Sequence, residues 1–112
     1  MSAYFRYPVK HGSSSTLTKN DTIYIVTTDG ATITLPNPSD NYLIGKLFVI
    51  KVSVDIYTTP ITINVASGSG NTLIDNSVSS IQIAEGYGSV SLICATSPDG
   101  NTWFALGKWT NV

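Results

Sequence analysis

The stretch TITLPNPSDNYLIGKLFVIKVSV, Thr32 to Val54, decides how this chain is read. It opens on a strand-like run that stops at Leu35-Pro36. Neither Pro36 nor Pro38 can donate a ladder hydrogen bond, so the strand ends there. Asn37 to Asn41 is a polar loop, and Gly45 supplies a backbone freedom that other residues lack. Lys46 to Val54 is predicted as a strand. Phe48, Ile50, Val52 and Val54 alternate onto one face, and Lys51 and Ser53 take the other.

The same alternation extends to both sides. Upstream, Thr22 to Thr27 and Ala31 to Leu35 flank Asp29-Gly30. Asp-Gly between β-branched runs predicts a two-residue hairpin, with Val26 facing Ile33 and Tyr24 facing Leu35. Downstream, Ile61 to Val65, Leu73 to Asp75, Val78 to Ala84 and Val90 to Cys94 read as strands separated by Gly- and Asn-rich turns. Asp99-Gly100-Asn101 is a second hairpin signal, feeding Thr102 to Gly107. About seven to nine short strands with frequent turn signals predict an all-β fold, a single antiparallel β-sandwich or jelly-roll-like barrel. No helix is required. Residues 16–112 are read as this domain. Residues 1–15 are read as an aromatic arm, carrying Tyr4, Phe5 and Tyr7, with a Ser/Gly hinge from His11 to Ser15.

Composition narrows the function. The chain has 112 residues, 12% of them charged, a net charge of −1 and a pI near 5.5. An average domain is about 25% charged. The six basic residues are scattered, so there is no electrostatic footprint for nucleic acid. No segment reaches the ~20 apolar residues of a membrane span, and the start of the chain lacks the apolar run of a signal peptide. Cys94, the single cysteine, cannot form an intrachain disulfide and reads as a buried thiol. Ile44 to Ile50 and Val90 to Ala95 are nearly continuous apolar runs. That leaves a surplus apolar face, which hints at a subunit interface.

The order of the pieces resembles something known. T-I-T-L-P at Thr32 to Pro36 is followed by F-V-I-K at Phe48 to Lys51 and I-T-I-N-V at Ile61 to Val65. Then come T-L-I-D at Thr72 to Asp75, S-I-Q-I at Ser80 to Ile83, S-V-S-L at Ser89 to Leu92 and D-G-N-T-W-F at Asp99 to Phe104. From about Thr22 to Leu106 the pattern resembles the short β-domains of phage tail-fibre and tail-spike proteins and of structural proteins of large DNA viruses. The resemblance implies a β-sandwich or jelly-roll-like homotrimer on a virus particle, made in the host cytoplasm. Its role would be a capsid-associated, spike or fibre-head module for assembly or host attachment, contacting other virion proteins. Three-fold packing would bury the face carrying Leu47, Val49 or Ile93, with Tyr4, Phe5, Tyr7 and Trp109 as further interface candidates.

Catalytic equipment is not legible. His11, the lone histidine, is not placed to serve as a base or a metal ligand, and the aspartates do not fall on a calcium-loop spacing. Neither enzyme, cofactor nor metal is expected. The aromatics remain. Tyr42, Tyr57 and Tyr87 fall in three loops, and Trp103 and Phe104 point to opposite faces of one strand. Beside Asn and Asp, such rings suit sugar stacking and hydrogen bonding. The alternative function is therefore a carbohydrate-binding, lectin-like receptor module that uses Tyr42, Tyr57, Tyr87 and Trp103 and contacts a host-surface glycan. The competing reading is that these rings cap the ends of the sandwich.

Overall fold

The computed structural model describes residues 6–53, 59–98 and 100–107. Tyr4, Phe5, Val54, Tyr57, Asp99 and Trp109 lie outside the described residues. The strands described are β1 (Val9–Gly12), β2 (Ser15–Thr16), β3 (Ile23–Val26), β4 (Thr32–Leu35), β5 (Leu47–Val52), β6 (Ile61–Val65), β7 (Ser80–Ile83), β8 (Ser89–Ser97) and β9 (Gly100–Leu106). One 3-10 turn, Asn41–Leu43, precedes β5.

The strands form two mixed sheets, ordered β1-β3-β5-β8-β9 and β2-β4-β6-β7. The all-β expectation holds, and the arrangement is sandwich-like. The antiparallel expectation does not hold. β1, β3 and β5 run parallel, as do β2, β4 and β6. Up to β6 the chain changes sheet after every strand, so it winds in three coils. Antiparallel pairs, β6–β7, β5–β8 and β8–β9, then close the structure.

The Asp29-Gly30 hairpin is replaced by a corner between sheets. Val26 pairs with Gly12 and Val52, and Ile33 pairs with Ser15 and Ile63. A two-residue type I′ hairpin needs positive φ at both turn residues. Gly30 has a φ of 72°, but Asp29 is not among the positive-φ residues. The corner's polar groups turn instead to the next coil. The Gly30 amide donates to the Thr59 carbonyl at 3.1 Å, and the Thr59 amide donates to the Asp29 carboxylate at 3.3 Å. The expected hinge at residues 11–15 is likewise part of the fold. His11 and Gly12 end β1, and Ser15 starts β2. The corner between them is held by Tyr24 Oη donating to the Ser13 carbonyl at 2.7 Å and the Thr32 amide donating to Ser14 Oγ at 2.9 Å.

Period-two alternation still builds the core, now from opposite walls. Tyr24, Ile50 and Val90 form one inward row across the five-stranded sheet. Ile33, Ile63 and Ile81 form another across the four-stranded sheet. All six belong to a single buried cluster. The expected face of β5 is correct for Phe48, Ile50 and Val52, which are fully buried. The second hairpin signal is also correct. β8 and β9 pair antiparallel down to Ser97 and Gly100.

Trp103, on β9, is the largest fully buried side chain. Its ring lies 5.1 Å from that of Phe48 at 37°. Its indole Nε1 donates to the Pro36 carbonyl at 2.8 Å, so β9 of one sheet holds the end of β4 in the other. Trp103→Phe removes this donor and leaves the carbonyl without its partner. The expected loss is about 1–3 kcal/mol in urea unfolding, against about 3–5 kcal/mol for Trp103→Ala. A Trp103→Phe variant as stable as the native protein would show that the indole bond contributes nothing.

Candidate functional site

The outer face of the five-stranded sheet is apolar along two adjacent rows. In the first, Val9, Ile23 and Val49 lie side by side, and Ser91 and Leu106 continue the row. In the second, Leu47, Ile93 and Phe104 are neighbours. Val9 is 54% exposed, Leu106 46% and Leu47 36%. Ile23, Val49, Ile93 and Phe104 are half-buried. The interface candidates Leu47, Val49 and Ile93 are thus brought together on one surface. Tyr7, exposed, lies two residues before the start of β1. A soluble sheet face normally alternates towards polar residues on this side. Here the charged Lys51 stands only in the row beyond, with His11, Ile25 and Ser89.

The aromatic set does not form a site. Trp103 is core, so its expected ligand contact is corrected: the inward-facing position opposite Cys94 buries it completely. Tyr42 and Tyr87 are exposed, but they lie at opposite ends of β5. Tyr42 precedes Leu47 and carries Lys19 Nζ over its ring at 5.1 Å. Tyr87 sits beyond the other end, where its carbonyl accepts from Lys51 Nζ.

One charged cluster is built into the fold. Asp21 is buried and accepts from the Thr18 amide at 2.8 Å, while Lys10 Nζ lies 2.8 Å from its other oxygen. Burial opposes the charge, but Lys10 and the Thr18 amide outweigh it and hold the carboxyl below its ordinary range. Lys46 sits nearby, donating to Thr22 Oγ1 at 3.2 Å. Burial pushes its pKa down, and Asp21 partly restores it. This arrangement ties β1 and the start of β5 to the loop before β3. Cys94 is fully buried, and burial raises its thiol pKa. Among the described residues no group of three His, Cys, Asp or Glu could hold a metal ion. No described helix is long and apolar enough to cross a membrane.

A cleft of about 610 Å³ opens where the β4–β5 and β6–β7 connections meet the β8–β9 hairpin. Asn41, Asn71, Asn76 and Asn101 line it, with Ser39 and Ser69. Asn101 Nδ2 donates to Asn41 Oδ1 at 3.1 Å, Asn71 Nδ2 donates to Asn76 Oδ1, and Asn76 Nδ2 donates to Ser97 Oγ at 3.3 Å. Asp75 and Asn76 are consecutive left-handed residues, with φ of 56° and 53°. Short polar side chains adopt that region most readily. The turn is fastened to β9: the Asp75 amide donates to the Trp103 carbonyl at 2.9 Å, and the Ala105 amide donates to Asp75 Oδ1 at 2.9 Å. Sequence reasoning missed this cleft, because its asparagines are far apart in the chain and each looked like an ordinary turn residue.

The comparisons with known proteins find no match: no family model, no curated protein and no solved structure is similar to the chain.

Two outcomes follow from the buried groups. The lowered pKa of Asp21 means that its charge stabilises the fold above the unfolded carboxyl value, about 3.9, and that this is lost as pH falls through the folded pKa. Asp21→Asn is therefore expected to cost about 1–2 kcal/mol at pH 7, with the gap to the native protein narrowing in unfolding curves below about pH 4. A gap that stays constant with pH would assign the loss to packing alone. Cys94 should resist a thiol-labelling reagent in the native protein and react once urea unfolds it; rapid labelling without unfolding would contradict its burial.

Proposed function

We propose that this protein is a non-enzymatic structural module of a virus particle, assembling as a homotrimer through the outer face of its five-stranded sheet. The observation that carries this reading is the double apolar row on that face. Leu47, Val49, Ile93 and Phe104 there are flanked by Val9 and Leu106. An apolar face on a standing sheet favours a protein neighbour, since each square ångström removed from water contributes about 25 cal/mol. A second copy presents the same surface, and a low net charge offers little repulsion between copies. The resemblance to tail-fibre and capsid-associated domains supplies the viral setting, the other virion proteins as partners and the three-fold symmetry. The buried titratable groups serve the fold: Asp21 is bonded to Lys10 and Thr18, and Cys94 is enclosed. That supports a structural rather than an enzymatic role.

The test is the solution mass, measured by light scattering on a sizing column. The native chain should run near three times 11.9 kDa. Val49→Asp places a charge in the centre of the rows and should abolish the trimer, giving a mass of one chain or an aggregate. A monomeric native protein, or a trimeric Val49→Asp variant, would overturn the assignment of this face.

A further inference from the structure

We propose that the asparagine-lined cleft binds a neutral saccharide. The described residues that line it carry no charge. They offer amides, hydroxyls and the backbone of Gly70 and Gly100. An amide group has one acceptor oxygen and two N–H donors. In the cleft each asparagine spends at most one N–H on a neighbour, and Asn41 Nδ2 makes no bond within the described residues. Four amides therefore keep at least one donor each, already oriented by their bonds to one another. A sugar hydroxyl both donates and accepts, so a ring of hydroxyls matches such a surface. Among the described lining residues a phosphate or a carboxylate would find no cation, and no group of three His, Cys, Asp or Glu among the described residues could hold a metal ion.

The rest of the cleft fits the same chemistry. Leu73 contributes an apolar patch to the lining, suited to the C–H face of a pyranose. Tyr42 follows Asn41 in the same 3-10 turn and is 65% exposed. The backbone is committed in advance. Asn76 is held in the left-handed region by a turn bonded to β9, and Thr102 Oγ1 adds a bond to the Leu73 carbonyl at 3.1 Å. Preorganised donors lose less freedom on binding than flexible ones. This site is separate from the apolar outer face, and the inference does not depend on the oligomeric state.

The experiment is a titration of the full chain followed by ¹H–¹⁵N spectra, reading the side-chain amides of Asn41, Asn71, Asn76 and Asn101. The probes are the methyl glycosides of glucose, galactose and mannose, with N-acetylglucosamine, maltose and lactose. Glycerol and inorganic phosphate are the controls. At least one saccharide should shift these resonances saturably, and neither control should. Asn41→Ala should weaken the affinity about tenfold or more. Asn41 is exposed and its side chain bonds only Asn101 within the described residues, so this variant keeps the fold. Asn101→Ala should weaken it as well. The proposal fails if no saccharide gives a saturable shift, if glycerol or phosphate reproduces it, or if binding survives Asn41→Ala unchanged.

Discussion

The fold depends on one constraint: no strand from β1 to β5 can satisfy its backbone from the strand next to it in the chain. Each strand crosses to the other sheet, so its ladder must come from the coil before or after. Buried backbone groups without partners are costly. The corners therefore have to deliver each strand in register with a segment many residues away. The bonds from Asp29 and Gly30 to Thr59 show how this is done, since the corner of one coil is fixed by the loop of the next. The core follows from the same winding. Along these first strands sequence neighbours meet through their side chains across the interior, and the ladder hydrogen bonds join segments distant in the chain.

That arrangement explains which parts of the fold are legible in the sequence. Alternation marks the inward residues of β3, β4, β5, β6 and β8, and these are buried as expected. Alternation does not say which wall of the core a strand belongs to. Tyr24, Val26, Ile33 and Leu35 share an interior whether they lie on one hairpin or on two facing sheets. The deciding information is the conformation of a single residue, Asp29, and Asp-Gly serves both geometries. β8 and β9, by contrast, form a true antiparallel pair, long enough to align over seven register positions from Ser91–Leu106 to Ser97–Gly100.

The candidate sites divide in the same way. A surface made by neighbouring strands is partly readable from the sequence. Alternation puts Leu47 and Val49 on one face of β5, and the register with β8 adds Ile93. A cleft made by loops is not, because Asn41, Asn71, Asn76 and Asn101 converge only after three coils have been wound. Trp103 shows the opposite limit. Its position in a strand next to Phe104 made one of the two rings core, and only the register with Cys94 shows that it is the tryptophan.

The winding also frees the molecule from a fixed length. Among the described residues β1 and β2 have a neighbour on one side only, and they are the outer strands of their two sheets at the same end. A barrel closes on itself, and a strand added to it must break an existing pair. Here another coil could be laid against that end with no pair broken, burying one more row on each wall of the core. Corners of very different size already coexist, from the two residues between β1 and β2 to the long segment between β4 and β5. Variation in length is thus absorbed at the corners, and growth would proceed by whole turns of chain, each adding to the height of the core and leaving the hairpin end unchanged.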